Sequence, residues 1–232
     1  MKLSGDNMIL LKTYVIDNLE INCVQMEPDD LYQIIICKNE ITKETPLKLF
    51  IPPSDAYISK ILNGYGRTLG LLHSNKLIAV ASVVFPKTGK HNLGNYLAFD
   101  DLLLNQVAQF EHGFVLSNYR GHGLLKILLA EQLKYIETKY SFFLSTVSPY
   151  NIPSLKSGFG IGQVIKSHIY YHGFERYVLY KKISNKCSFI NAIKCNTIDK
   201  LDFYLSKGYV AVYSFQDACY LMILEEESYE TI

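Results

Sequence analysis

The 232-residue chain is 49% hydrophobic and 19% charged, enough apolar material to bury a core as one large domain or as a domain with a small appendage. Its 23 basic and 22 acidic side chains give a formal charge of +1, which leaves a general nucleic-acid binder without its electrostatic footprint. No apolar run approaches the ~18 residues of a membrane span, and the opening Met1-Lys2-Leu3-Ser4-Gly5-Asp6 lacks the charged and apolar regions of a signal peptide. Cys23, Cys37, Cys187, Cys195 and Cys219, odd in number and never in C-x-x-C spacing, read as reduced thiols. The expectation is a cytoplasmic protein with neither membrane nor nucleic-acid partner.

Lys12 to Ile21 mixes β-branched and polar residues over about one strand length. Glu27-Pro28-Asp29-Asp30 then opens the apolar stretch Leu31 to Cys37, and proline with carboxylates at the entry predicts a first helix. Pro52-Pro53-Ser54-Asp55 repeats the device, with Ser54 as N-cap, Tyr57, Ile58, Ile61 and Leu62 at helical spacing, and Gly64 and Gly66 as the stop. Thr68–Leu72 and Leu77–Phe85, around His73-Ser74-Asn75-Lys76, read as an antiparallel hairpin. Pro86 to Gly94 breaks it. Asn95 to Asn105 has no assignable period, although Leu102, Leu103 and Leu104 are expected to be largely buried. Gln106 to Leu116 reads as a strand running directly into Ser117-Asn118-Tyr119-Arg120-Gly121-His122-Gly123. Leu124, Leu125, Leu128, Leu129, Leu133 and Ile136 then form a broad helical stripe. Ser141–Val147 is a short apolar strand, and Ile165 to Ile183 holds two strand-like runs, Ser167–Tyr171 and Arg176–Ile183. Ser184-Asn185-Lys186 reads as a linker, Thr197–Ser206 as a short helix, Val210–Leu224 as one or two strands, and Glu225–Glu227 as a solvated charge run.

A strand that delivers a glycine-rich turn into a long helix is a device for holding phosphate, because the first helical N–H groups lack intrahelical partners and the helix dipole favours negative charge there. In Arg120-Gly121-His122-Gly123-Leu124-Leu125 an anion would meet backbone donors with the Arg120 guanidinium nearby. The turn is neither G-x-x-x-x-G-K-[ST] nor G-x-G-x-x-G, so the P-loop and dinucleotide readings fail on residue type. Two glycines that serve only the turn remain the plain alternative.

Val115-x-x-x-Tyr119-Arg120-Gly121-x-Gly123-Leu124, entered from a strand and leaving by an amphipathic helix, closely resembles motif A of the GNAT acetyltransferases, Q/R-x-x-G-x-G/A. Arg120 and Gly123 match its first and fourth positions. Leu125, at the sixth, departs from it, where only the backbone N–H is required. Val147-Ser148-Pro149-Tyr150-Asn151-Ile152-Pro153-Ser154 followed by Gly158-Phe159 looks like motif B, in which an Asn begins a helix ending in Gly-Phe. The resemblance spans about Lys12 to Ile183. It implies an α+β fold: a mixed, mostly antiparallel sheet splayed between its fourth and fifth strands, helices on both faces, with a small C-terminal α/β extension. The domains follow as 1–183, binding acetyl-coenzyme A, and 184–232, packing on it or mediating dimerisation. The resemblance further implies that backbone groups around Phe114, Val115 and Leu116 pair with pantetheine amides, that Arg120, Gly121, His122, Gly123, Leu124 and Leu125 hold the pyrophosphate, and that Asn151 and Ser154 form a second cofactor contact.

Acyl transfer to an amine needs positioning, an oxyanion donor, a base for the amine proton and a proton for the thiolate. Glu111, nine residues before Arg120, stands where some members of the family carry an acidic residue, and is read as a base or amine ligand, or as a structural carboxylate. His112 points to the other face if the strand is regular. The family's thiolate-protonating tyrosine falls seven residues after the motif-B asparagine, which here is Gly158; Tyr150 is the candidate substitute. His168 and His172, some 13 Å apart on a strand, are too far apart for one metal. The aromatic run Ile169 to Tyr180 is either a substrate wall, with Arg176 recognising a carboxylate, or a hairpin filling the core. The reading is an N-acetyltransferase of an amine acceptor, a small molecule before a protein, with an acyl-coenzyme A sensor as alternative and a homodimer as an open possibility.

Overall fold

A computed structural model of the chain describes residues 9–184, 186–187, 192–224 and 229–230. The opening residues, Asn185 of the linker and the Glu225–Glu227 run lie outside these. The described residues divide into two units, within Met1–Phe85 and Gln109–Ile136 and within Pro86–Ala108 and Glu137–Ile232.

The first unit begins with two strands where one was expected, β1 (Ile9–Ile16) and β2 (Leu19–Met26). Asp17 and Asn18, at φ +48° and +66°, make the two-residue turn between them; both types tolerate left-handed backbone, and their polarity hid the turn within a strand-like run. Pro28–Asp30 then forms a single tight turn, with Glu27 N donating to Asp30 Oδ2 at 2.9 Å, and leads into α1 (Leu31–Glu44). Ser54 caps α2 (Asp55–Lys60), its Oγ accepting from Tyr57 N at 3.2 Å. β3 (Gly66–His73) and β4 (Lys76–Val84) form the expected hairpin, and β5 (Val107–Val115) follows. The five strands lie in the order β1-β2-β3-β4-β5, antiparallel throughout. α1 and α2 bury Ile34, Cys37 and Ile58 against Val24, Val80 and Phe114 on one face. α4 (Leu124–Ile136, the fourth helix) lays Leu124 and Leu128 on the other, against Ile21, Leu71 and Ala81.

The second unit contains α3 (Asp101–Leu104), β6 (Phe142–Val147), α5 (Ile152–Phe159), β7 (Val164–Tyr171), β8 (Phe174–Lys182), β9 (Lys186–Cys187), β10 (Ile193–Cys195), α6 (Ile198–Leu205), β11 (Tyr209–Ser214), β12 (Cys219–Leu224) and β13 (Tyr229–Glu230). Its main strand order is β6-β8-β7-β11-β12-β10, with β9 and β13 paired separately. α5 and α6 place Leu155 and Leu201 over Ile165, Leu179 and Ala211; Leu93, with Leu97 and Leu103, covers the opposite face. Ala211 of β11 pairs with Ile165 of β7. The three leucines of α3 do not share burial: Leu104 is 4% exposed and Leu102 76%, because consecutive helical side chains diverge by about 100° and cannot all face a core. The architecture is α+β, mostly antiparallel, with helices on both faces of the strands. Cys23, Cys37, Cys195 and Cys219 are buried free thiols, and burial pushes Cys23 up to about 11 and Cys37 to about 12, which keeps them unreactive. Among the described residues no helix is long and apolar enough to cross a membrane.

Candidate functional site

β5 carries one residue too many. Ser82 pairs with His112 and Val83 with Phe110, leaving Glu111 as the extra residue of a bulge. On a regular strand Phe110 and Phe114 would share a face; here Phe110 packs with α4 and Phe114 with α1 and α2. The regular-strand premise that sent Glu111 and His112 to opposite faces therefore fails. The half-buried Glu111 accepts from Gln109 Nε2 at 2.8 Å through Oε2. After burial, its charge is what holds the Tyr65 phenol above its ordinary value.

His112 is buried beside it, Nε2 2.9 Å from Ser82 Oγ, which in turn lies 2.8 Å from Thr68 Oγ1. Burial first, and the Lys38 ammonium second, push the imidazole down from 6.5 to about 3. Unfolding restores the ordinary value, so between these limits the unfolded chain binds the extra proton and stability falls as pH falls, by at most about 1.4 kcal/mol per pH unit. His112→Phe is expected to flatten this limb in urea melts taken from pH 7 to pH 4; an unaltered slope would assign it to other groups.

At the end of β5, Leu116 N donates to Ile78 O at 2.9 Å, and Val80 pairs with Phe114. Backbone groups alternate along an antiparallel ladder, so Phe114 and Leu116 commit theirs to β4 while Val115 turns its amide and carbonyl away from β4. Arg120 Nε reaches Val115 O at 3.2 Å. Gly121 and Gly123 take φ +89° and +72°, and Ile127 N is bonded back to Gly123 O at 3.1 Å. The amides of Leu124, Leu125 and Lys126 precede that bond and have no acceptor within the helix. A Cβ placed on either glycine meets nothing within 4 Å; backbone sign, not crowding, requires glycine here, and the space beside it is open. Leu125 turns back onto the sheet, where a Cβ on Gly113 would stand 2.6 Å from Leu125 Cδ1. The bulk at the position that departs from the motif is thus accommodated by a glycine on β5.

Sequence reading missed a neighbour of this turn. Asp17, on the β1–β2 turn, places Oδ2 2.5 Å from His122 Nδ1. Its carboxylate opposes any anion held by the turn. Asp17→Asn is expected to tighten binding of coenzyme A two- to fivefold at low ionic strength, with the gain shrinking in 0.5 M salt as exposed charges are screened; titration calorimetry at two salt concentrations checks both parts.

The remaining candidates lie in the second unit. Asn151 caps α5, its Oδ1 accepting from Ser154 N at 3.2 Å. Tyr150 is 58% exposed, and its hydroxyl donates to Glu175 Oε2 at 3.0 Å; this bond, then the carboxylate charge, raises the phenol. A Cβ on Gly158 would stand 2.7 Å from Leu179 Cδ1 and 3.0 Å from Gln163 Oε1, so a larger side chain there must displace both. Arg176 is buried, 3% exposed, and burial lowers its guanidinium from the ordinary value.

No family model matches the sequence, and no curated protein matches it significantly. Solved structures do match the fold. The GNAT-family acetyltransferase from Streptococcus pneumoniae is similar at a TM-score of 0.55 and 16% identity, over 69% of this chain and 98% of its own. NAA60 of Arabidopsis thaliana, solved with acetyl-CoA, is similar at 0.57 and 17%, over 71% and 99%. The chain has the GNAT acetyltransferase fold. The aminoglycoside acetyltransferase AAC(6')-Ib, solved with coenzyme A and kanamycin, shares this GNAT fold at 0.55 and 10% identity, over 70% of this chain and 94% of its own.

Proposed function

We propose that the chain is an N-acetyltransferase that moves an acetyl group directly from acetyl-coenzyme A to an amine, with a small molecule rather than a protein as acceptor. The observation that carries this reading is the Arg120–Leu125 turn: two glycines in left-handed backbone bring the first amides of α4 beside a guanidinium, at the end of a strand bulged at Glu111. The donors present suit a pyrophosphate, and the open space at Gly121 and Gly123 leaves room for it. That fold neighbours were solved with acetyl-CoA or coenzyme A supports the same ligand.

Acetyl-coenzyme A supplies an activated thioester. Arg120, Gly121, His122, Gly123, Leu124 and Leu125 are assigned to its phosphates, and Val115 of the Phe114–Leu116 strand end to the pantetheine amides, since its backbone groups turn away from β4. Glu111 takes the acceptor's ammonium proton, its carboxylate tethered by Gln109. To Tyr150 we assign the proton returned to the thiolate, and to Asn151 and Ser154 the second cofactor contact. Residues 1–183 are assigned to the transferase domain and 184–232 to an extension joined to β7 through β11.

A second reading, a non-catalytic acyl-coenzyme A sensor, is favoured by one observation: the Tyr150 proton is engaged by Glu175 and its phenol is raised, while glycine stands at position 158. Calorimetric titration with acetyl-coenzyme A and desulfo-coenzyme A, followed by thiol release against a panel of amines, separates the two. Binding with amine-dependent thiol release is the expected result; binding without release selects the sensor, and no binding overturns both.

A further inference from the structure

α2 ends on a lysine, Lys60, and the chain behind it doubles back. Ile61–Tyr65 makes one wide helical turn that leaves helical backbone at Asn63 and Gly64, with Gly64 at φ +100°, a sign that glycine takes at least cost. The turn brings Tyr65 beneath Lys60, whose Nζ stands 3.8 Å from the ring centroid. Lys60 is exposed and Tyr65 half-buried, and among the described residues no Asp or Glu pairs with this ammonium. The ring face holds the cation instead.

This pair lies at the Glu111 end of the sheet. Phe85 N donates to Tyr65 O at 3.4 Å, and next to it Gly66, Val84 and Gln109 form one row across β3, β4 and β5. With neighbouring strands about 4.8 Å apart, Gly66 lies roughly 10 Å from Gln109. Gln109 is the residue that donates to the Glu111 carboxylate, and it draws that carboxylate back along β5 toward the row beside Tyr65. The rise of the Tyr65 phenol in the field of Glu111 agrees with this placement. Lys38 of α1 packs on the same side of the sheet, yet it is buried and held by Asp55.

We propose that Lys60 is a site of self-acetylation, the chain's own ε-amine accepting the acetyl group in cis. This rests on the transferase reading above. The Lys60 ammonium, on its flexible four-carbon stem, gives one proton to Glu111, and the free amine attacks the thioester carbon. The C–N bond forms as the C–S bond breaks. The nitrogen sheds a second proton and the thiolate takes one up, so the products are N-acetyllysine, coenzyme A thiol and one proton. The new amide is neutral, and the attraction that held the side chain on the Tyr65 ring ends with the reaction.

The full chain incubated with acetyl-coenzyme A and no added amine, read by intact mass and then by peptide mapping, tests this. One acetyl group on Lys60 is expected, at a rate independent of chain concentration, with Lys38 unmodified. The rate should fall about a hundredfold in Glu111→Gln. It should fall about tenfold or more in Tyr65→Leu, and Tyr65→Phe, which keeps the ring face, should retain what the leucine variant loses. Lys60→Arg should remove the mass increase. Mapping of the unaltered chain decides the site even where Tyr65→Leu fails to fold. Acetyl groups scattered over several exposed lysines, an undiminished rate in Glu111→Gln, or a rate that rises with chain concentration would each overturn the proposal. An unmodified Lys60 in a chain that releases thiol to added amines would overturn it and leave the transferase reading standing. Neither modification nor thiol release with any amine would overturn both.

Discussion

Gly123→Val is expected to lower coenzyme A affinity at least a hundredfold while leaving the chain folded. Gly123 sits at φ +72° with no atom within 4 Å of a built Cβ, so valine meets no clash there. It meets a backbone that a β-branched residue adopts only at a cost of about 1–3 kcal/mol. The turn relaxes to negative φ, the amides ahead of Ile127 lose their common direction, and the anion site is dispersed. Gly123→Ala pays a smaller strain and is expected to lose about fivefold. Calorimetry reads both, and a valine variant that binds normally would show that the turn is only a connection.

Glu111→Gln should leave coenzyme A affinity within twofold and reduce amine-dependent transfer by about 10²-fold or more, the usual scale for loss of a general base. Glutamine keeps the size of the side chain and a hydrogen bond to Gln109, so the bulge is retained. The pH profile is a second readout: the residual rate should rise with pH, as acceptor amine deprotonated in solution replaces the lost base. An unchanged rate at neutral pH would remove Glu111 from the chemistry.

The helix after Ser54 was legible because its cap is local: Ser54 bonds to the amide three residues on, and spacing alone reveals that, whereas the start at Asn151 was read from the resemblance to motif B. The Arg120–Leu125 turn was legible because glycine answers to backbone sign. What could not be read was set by pairing between distant segments. The Glu111 bulge exists only in the register of β5 against β4, the Asp17–His122 contact joins residues 105 positions apart, and the burial of Arg176 depends on which face of β8 is covered. The Asp17-Asn18 turn was a local miss, since its two left-handed residues were taken as polar positions of a single strand.

The contact of Gly113 with Leu125 shows why single positions mislead in such comparisons. Strand and helix approach to a separation that holds one large side chain and one hydrogen, and either partner can supply the bulk. A Cβ on Gly113 would also stand 2.5 Å from Phe110 Cζ, so in a chain of this fold with glycine or alanine in place of Leu125 the strand position can grow only if Phe110 gives way as well, and the three sites should vary together along a lineage. A departure from a motif is then one part of an exchange whose other parts lie twelve and fifteen residues upstream.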